Sequence, residues 1–336
     1  MSSLFTSKLQ RFRKNKLGFG CFILFVLIFI CTLCPELIAN DKPLFIQYKE
    51  QAYFPIFQVY PETTFGGVFE TEADYKDPVV QSMIQQQGWM LWTLIRFSDQ
   101  TPNLELTVPV PSPPTMQNWL GTDDQGRDVL ARILYGLRLS LCFGLALTFA
   151  SSILGIVIGA IQGYYGGWID LIGQRLVEIW SGLPMLFMVM ILVGFFTPNI
   201  YWLFLIMLFF GWTTLVGFVR AEFLRARQLD YVRAARGMGL SDFHIIFRHI
   251  LPNAMSSSLS QFPFILTANI TALTALDFLG YGLPPDAPSL GELLLQGKNN
   301  LNAPWLALSG FFSLALVLSL LIYIGEAARD AFDPRK

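Results

Sequence analysis

Residues 229–254 read "LDYVRAARGMGLSDFHIIFRHILPNA" and lie between two of the most apolar stretches of a 336-residue chain. Five charged groups flank a glycine turn here: Asp230, Arg233, Arg236, Asp242 and Arg248. Asp230 can cap a short helix over "YVRAARGMG", which Gly239 can end in the left-handed conformation that glycine adopts without steric cost. Ser241 or Asp242 can cap a second helix, "FHIIFRHI", that stops at Pro252. The expectation is helix, tight turn, helix. Ala234 and Ala235 let another backbone come close, and Arg233 and Arg236, three apart, share a face.

The surroundings define the medium. The chain is 53% hydrophobic and 14% charged, against ~25% charged for soluble domains. Apolar runs of ~20 residues recur, each long enough to cross a hydrocarbon core ~30 Å thick. Six spans are expected, at 17–35, 139–162, 176–196, 200–219, 255–280 and 305–325. The fold class is therefore an all-α polytopic membrane protein. The first span follows Lys8, Arg11, Arg13, Lys14 and Lys16, and its apolar core exceeds the ~7–15 residues of a cleaved signal, so it reads as a signal anchor. Tyr201, Trp202 and Trp305 sit where interface anchors are expected.

Lysine and arginine set the orientation. With residues 1–16 inside, the inner segments hold fifteen of the 23 basic residues and the outer segments eight, most of those in one long segment. Both termini, including the tail 331–336, are then expected in the cytoplasm. Residues 36–137 form an extramembrane segment, rich in proline and aromatics, in which no strand is assignable. Its end, "GTDDQGRDVLARILYGLRLSL" (121–141), reads as an amphipathic helix in the interface plane. Thr122 or Asp123 would cap it, with Val129, Leu130, Ile133, Leu134 and Leu137 on one face and Arg127, Asp128, Arg132 and Arg138 opposite.

Little in the chain suggests an enzyme. The histidines are His244 and His249, which speaks against a histidine-based metal or triad site, and no metal site is expected. Cys31 and Cys34 lack the second pair of a zinc site and, with Cys21 and Cys142, read as small apolar span residues. A phosphate-binding G-x-x-x-x-G-K-[ST] loop is missing: Gly297-Lys298 has neither the earlier glycine nor the Ser/Thr. A DNA-reading helix-turn-helix is excluded because short links tether both ends of 229–254 to spans, so no nucleic acid is expected. Among polar span residues, Arg175 and Glu178 are spaced to pair, while Asn269, Thr271 and Thr274 suggest a polar stripe with Asp277 near its outer end. Gly155, Gly159 and Gly163, four apart, suggest close helix packing.

"RAARGMGLSDFHIIFRHILP" resembles the signature loop, the EAA loop, of inner-membrane permeases of bacterial ABC importers. Ala234, Ala235, Gly239, Leu251 and Pro252 match in register; Arg233 replaces the acid and His249 an isoleucine. Those departures are usual in the oligopeptide/dipeptide branch. The chain is similar to that branch over nearly all its length, through "GTDDQGRDVLARILYG", "LDFLGYGLPP", "NNLNAPW" and "GEAARDAFDP". "ELIANDKPLFIQY", "ADYKDP" and "GWMLWTLIRF" further resemble permeases for microcin C and related peptides.

The resemblance implies a type I importer permease fold of six helices, with its transmembrane domain over 138–330, in the inner membrane of a Gram-negative bacterium. It implies a coupling loop over 220–253 that includes Arg236, Leu240 and His249, in which Tyr231, Arg233, Ala234, Ala235 and Gly239 meet an ATPase while Leu251 and Pro252 anchor it to the next span. Implied partners are a homologous second permease, two cytoplasmic ABC ATPase subunits that use ATP-Mg, a periplasmic peptide-binding protein, lipid and the peptide itself. This chain would bind no cofactor. Asn269, Thr271, Thr274 and Asp277 become candidates for the peptide path, with Asp277 attracting a cationic terminus. Competing readings are a permease of the same family for a non-peptide solute, such as a metal chelate, and a membrane-anchored scaffold whose basic loop is merely structural.

Overall fold

The apolar runs become helices in the computed structural model, which describes residues 9–195, 199–284 and 286–332, apart from the side chains of 256 and 257. Lys8, Pro285 and the tail beyond 332 lie outside the described residues. The helices are α1 (Lys16–Leu33), α2 (Pro78–Gln87), α3 (Val129–Tyr165), α4 (Gly167–Ser181), α5 (Met185–Val193), α6 (Ile200–Gly211) and α7 (Thr213–Ala226). They continue as α8 (Asp230–Gly237), α9 (Asp242–His244), α10 (Leu251–Leu259), α11 (Phe262–Phe278), α12 (Leu290–Asn299) and α13 (Pro304–Phe332). Three strands precede them or intervene: β1 (Phe45–Tyr48), β2 (Gln51–Tyr53) and β3 (Gly88–Leu91).

Among the described residues four helical runs are long and apolar enough to cross a membrane: α1, α3, the run Ile200–Ala226 and α13. The pair α4 and α5, bent by 67°, makes a fifth if it counts as one span. The bend falls at 182–184, where Pro184 offers no N–H to continue the ladder. The expected fifth span becomes α10 and α11, and α11, with 17 residues, is short by length alone. Phe22, Leu24, Leu27 and Ile30 of α1 are exposed, as side chains whose solvent is lipid can be.

The chain divides into two compact units. The first comprises Met1–Leu27, Ser140–Pro284 and Ala315–Lys336. Its helices approach closely through the expected glycines. A Cβ on Gly155, Gly159 or Gly163 would stand 2.9, 2.8 or 2.6 Å from the carbonyl oxygens of Trp212, Val216 and Arg220. These glycines bring the backbone of α3 against the Ile200–Ala226 run. Arg175 and Glu178 pair at the surface, as their spacing predicts.

The second unit, Ile28–Leu139 with Pro285–Leu314, contains a small sheet ordered β2-β1-β3 with both pairings antiparallel. Ile46 pairs with Tyr53 on one side and Met90 on the other. Alternation in β1 turns Ile46 and Tyr48 inward, onto Phe65, Ala73, Tyr75, Val80 and Ile84. Asp77 starts α2 by accepting the Val79 N–H at 2.8 Å, with Pro78 in the first turn.

In the same unit the expected interface helix is not separate. Residues 129–137 are the first turns of α3, whose 37 residues rise ~55 Å at 1.5 Å each. Its start is capped by Asp128, which accepts the Ala131 N–H at 2.8 Å, rather than by Thr122 or Asp123. Nor does most of the expected polar face meet water, for Arg127, Asp128 and Arg132 are buried, while Arg138 is half-buried and pairs with Glu36. Asp123 holds the Arg127 guanidinium at 2.7 Å, and Glu292 holds Arg132 at 2.7 Å. Arg132 also donates to the carbonyls of Asp99 and Ala287, both at 3.2 Å. Burial pushes the Glu292 carboxyl above its ordinary range, against the pull of Arg132 and Arg127. Trp305, expected at an interface, donates its indole N–H to the Thr122 carbonyl at 3.3 Å.

Candidate functional site

The stretch 229–254 folds as a braced projection within the first unit. Leu229 occupies the N-cap of α8 and makes no side-chain cap, so Asp230 is the first helical residue instead of the expected cap. The C-terminal stop is as predicted. Gly239 takes φ +78°, its N–H reaches the Arg236 carbonyl at 3.0 Å, and the Leu240 N–H reaches that of Ala235 at 3.3 Å. This paired closure satisfies two carbonyls the helix end would leave bare. Ser241 then caps α9, accepting the His244 N–H.

The second helix does not end at Pro252. After α9 the chain widens into a π-helical turn, Ile245–Ile250, and continues through Pro252 into α10. Proline lacks the N–H that a regular α-helix would need there, and the widened turn shifts the ladder just before it. The Leu251 N–H reaches back to the Ile246 carbonyl, and the Asn253 side-chain amide takes that of His249 at 3.1 Å.

One face of this projection is anchored. Val232, Ala235, Ile245, Ile250 and Ala254 are buried in one core with Tyr164, Val219 and Phe223, and Leu240, Ile246 and Leu251 pack against it. Thus the two alanines separate: Ala235 faces inward, where its small size lets α8 lie close, and Ala234 faces out. The opposite face carries Tyr231, Met238, Phe243 and Phe247, all exposed, with the two phenylalanine rings 4.4 Å apart. Among the expected loop residues Tyr231, Arg233, Ala234, Arg236 and Gly239 are exposed, while His249, Leu251 and Pro252 are half-buried. Sequence reasoning missed Met238, Phe243 and Phe247. Their signal was large apolar side chains falling opposite the inward Val232, Ile245 and Ile250.

Polar braces fix the projection. The Tyr164 hydroxyl donates to Asp242 at 2.5 Å, the Arg236 guanidinium lies 5.3 Å from the Tyr164 ring centroid, and Arg227 donates to the Tyr164 carbonyl at 3.4 Å. Tyr164 also holds the Arg236 guanidinium above its ordinary pKa, so its charge is secure. Further up α7, Arg220 grips Asp170 with two hydrogen bonds, at 2.5 and 2.8 Å. The projection is thus tied to α3 and α7, and α7 to α4.

The four path candidates do not form one stripe, because residues two apart on a helix lie on nearly opposite faces. Thr271 is exposed, Asn269 half-buried, and Thr274 and Asp277 buried. The Asn269 amide donates to the buried Thr148 hydroxyl at 2.9 Å, whereas Thr271 and Thr274 donate to carbonyls one turn back. Asp277 accepts the Leu283 N–H at 2.8 Å and so fixes the turn after α11. Among the described residues no cluster of His, Cys, Asp or Glu could hold a metal ion.

Comparison with known proteins supplies the wider context. The family model described as "Binding-protein-dependent transport system inner membrane component" matches residues 155–336. The chain is 55% identical, over all of its length and 98% of the relative, to the inner membrane ABC transporter permease protein YejE of Escherichia coli (strain K12). It is 49% identical to the peptidoglycan transport system permease protein YejE of Agrobacterium fabrum, over 97% of this chain and 92% of that one. The dipeptide transport system permease protein DppC of Alkalihalophilus pseudofirmus is 33% identical over 66% of this chain and 73% of its own. A solved chain of the MetNI methionine ABC transporter, in an inward-facing conformation, aligns with 61% of this chain and 96% of its own, at 15% identity and a TM-score of 0.49.

Proposed function

Since the chain belongs to the family of inner membrane components of binding-protein-dependent transport systems, we propose that it is the peptide-conducting permease of an ATP-driven importer. The observation that carries the coupling role is the two-sided projection. Its inner face is locked by Val232, Ala235, Ile245 and Ile250, and its outer face offers Tyr231, Met238 and Phe243 as apolar knobs beside Arg233. Such knobs have no use in water and suit an apolar groove on a soluble partner. That partner is a cytoplasmic ABC ATPase, one of two, burning ATP-Mg that this chain itself does not bind.

In this reading α11 completes six spans, both termini face the cytoplasm, and residues 36–128 stand on the outer side. A second, homologous permease supplies the other wall of the path, and a binding protein delivers solute from outside. Peptides are the proposed cargo because relatives are named for dipeptide, glutathione and peptidoglycan transport. Thr271 and Asn269 are the path candidates with accessible surface, and Asp277 acts through the turn it holds. Alternating access follows if the loaded binding protein and ATP favour different states of the pair.

Peptide-stimulated ATP hydrolysis by the reconstituted complex tests the reading, comparing the natural chain with the double variant Ala234→Glu, Gly239→Asp. Intact assembly with stimulation lost is the expected result. Undiminished stimulation and uptake would reduce the loop to a basic connector and remove the main support for the assignment. A complex stimulated by metal chelates and not by peptides would keep the coupling role and replace the cargo.

A further inference from the structure

The second unit contains a cleft of about 1030 Å³ that the coupling reading leaves without a role. It lies within residues 41–130, between the segment before β1, the segment 92–97 after β3, the start of α2 and the chain leading to α3. Its size is that of a ligand site, at the upper end of the ~300–1,000 Å³ typical of small-molecule pockets.

Its charges are unbalanced. Six carboxylates line it (Asp41, Glu72, Asp74, Asp77, Glu105 and Asp128) against three cations (Lys42, Lys76 and Arg96). All three cations are engaged. Lys42 pairs with Glu72, the Lys76 ammonium lies 3.8 Å from the Phe97 ring centroid, and the Arg96 guanidinium 5.2 Å from that of Trp92. Asp77 and Asp128 are spent on helix starts. Asp41 and Glu105 each give one oxygen to a neutral donor, the Thr101 hydroxyl and the Gln117 amide, and form no ion pair among the described residues. Among the described residues the Asp74 carboxylate accepts the Lys76 backbone N–H and forms no ion pair.

The remaining wall is apolar and open. Leu94, Leu104, Met116 and Trp119 are each at least half exposed around it. Tyr75 lines it too, with a buried hydroxyl that finds no hydrogen-bond partner among the described residues. Uncompensated carboxylates beside aromatic faces select a cation carried on an apolar body.

We propose that this cleft binds an extended peptide segment, seating a basic side chain or free amino terminus against Asp41, Asp74 and Glu105 and an apolar side chain against Trp119 and Leu104. The cleft is thus a peptide subsite separate from the path at α11. The proposal rests on the peptide-importer reading for its ligand class alone. Lys76 is the internal competitor: burial lowers its pKa, against the pull of Asp41, Asp74, Glu105 and Asp128, so its ammonium occupies the acidic field only partly hydrated.

The experiment uses the full chain in lipid nanodiscs and fluorescence anisotropy of a labelled arginine-phenylalanine-lysine tripeptide, against the same peptide with glutamates for its basic residues. The basic peptide should bind and the acidic one should not. Asp41→Asn with Glu105→Gln should weaken binding by about tenfold, since two partly screened charges are worth roughly that in a dissociation constant. Lys76→Met should tighten it by about threefold, and this variant gives an answer even if the double variant fails to fold. Equal affinity for both peptides, or basic-peptide binding unaffected by the variants, overturns the proposal, whatever protein is later found to dock there. Failure of the ATPase experiment with this selectivity intact leaves the cleft standing and removes the coupling role of the loop; the reverse removes the cleft alone.

Discussion

Two segments of this molecule carry arginines around left-handed glycines, and they fold in opposite senses. In 121–132, Gly121 and Gly126 take φ +78° and Arg127 and Arg132 are buried; in 233–248, Gly239 takes the same φ and Arg233, Arg236 and Arg248 remain exposed. Composition and turn chemistry are alike, so neither decides. What differs is the reach of carboxylates. Asp123, four residues before Arg127 across a turn, and Glu292 on α12 surround the first pair of guanidiniums, whereas Asp242 near the second is already engaged by Tyr164. A buried guanidinium costs several kcal/mol unless ion pairs and carbonyls replace its water. The first segment is an internal rivet, the second a surface handle.

The largest expected effect attacks the rivet. Arg132→Met leaves the partly buried Glu292 without its closest cation, with Arg127 at 3.6 Å remaining, and should destabilise the chain by about 3 kcal/mol. Thermal unfolding in detergent would show it as a lowered midpoint. Adding Glu292→Leu should recover much of the loss, because removing both charges also removes the desolvation cost. No recovery in the double variant would mean that Arg132 acts chiefly through the Asp99 and Ala287 carbonyls.

A second test concerns how close the frame behind the handle must be. Gly159→Leu forces a Cβ to 2.8 Å from the Val216 carbonyl and should cost about 1–3 kcal/mol. Gly217→Ala, on a neighbouring helix with nothing within 4 Å of its Cβ, should be neutral or stabilising by up to ~1 kcal/mol, because alanine favours helix. Equal effects at the two sites would show that the glycine stripe of α3 is not the close contact.

How far the sequence could be read follows the same division. The helix-turn-helix of the handle was legible, because Gly239 and Ser241 are local signals that leave their mark within a few residues, whereas its outer apolar face was not read. Four of the expected spans were legible from length and stand as α1, α3, the run Ile200–Ala226 and α13, while the break at Pro184 and the short α11 keep the described count at four, or five with the bent pair. The rivet was not. Arg132 and Glu292 are 160 residues apart, and amphipathic spacing around Val129 reads the same whether the opposite face meets water or buried carboxylates. The sheet escaped because β2 has three residues and β1 and β3 four each, too few for alternation to stand out. Pro252 misled for a related reason: proline marks a missing donor, and a π-helical turn can absorb it without ending the helix.

Gly239→Ala should cost about 1 kcal/mol, the strain of a side chain at positive φ, since nothing lies within 4 Å of its Cβ. In the same assay that reads peptide-stimulated ATP hydrolysis, it should lower stimulation several-fold by tilting α8 against the turn. An unchanged melting midpoint would show that the turn relaxes freely and that the handle is less rigid than its closure by Arg236 and Ala235 implies.

The smallest effect on stability belongs to the handle's outer face, and there the contrast with the rivet is sharpest. Met238→Ser with Phe243→Ser removes two side chains that are 74% and 70% exposed, so unfolding should shift by no more than ~0.5 kcal/mol. Function should respond in the opposite proportion. If these knobs fill an ATPase groove, the double variant should fold, insert and still lose most of its peptide-stimulated hydrolysis, and co-purification of the ATPase should weaken at least tenfold, as expected when two anchors worth ~1 kcal/mol each or more leave an interface. Arg132→Met predicts the converse pattern, with little assembled protein but normal stimulation in what assembles. A destabilised Met238 and Phe243 variant would place those side chains in the fold, and would move the contact with the ATPase to Tyr231 and Arg233.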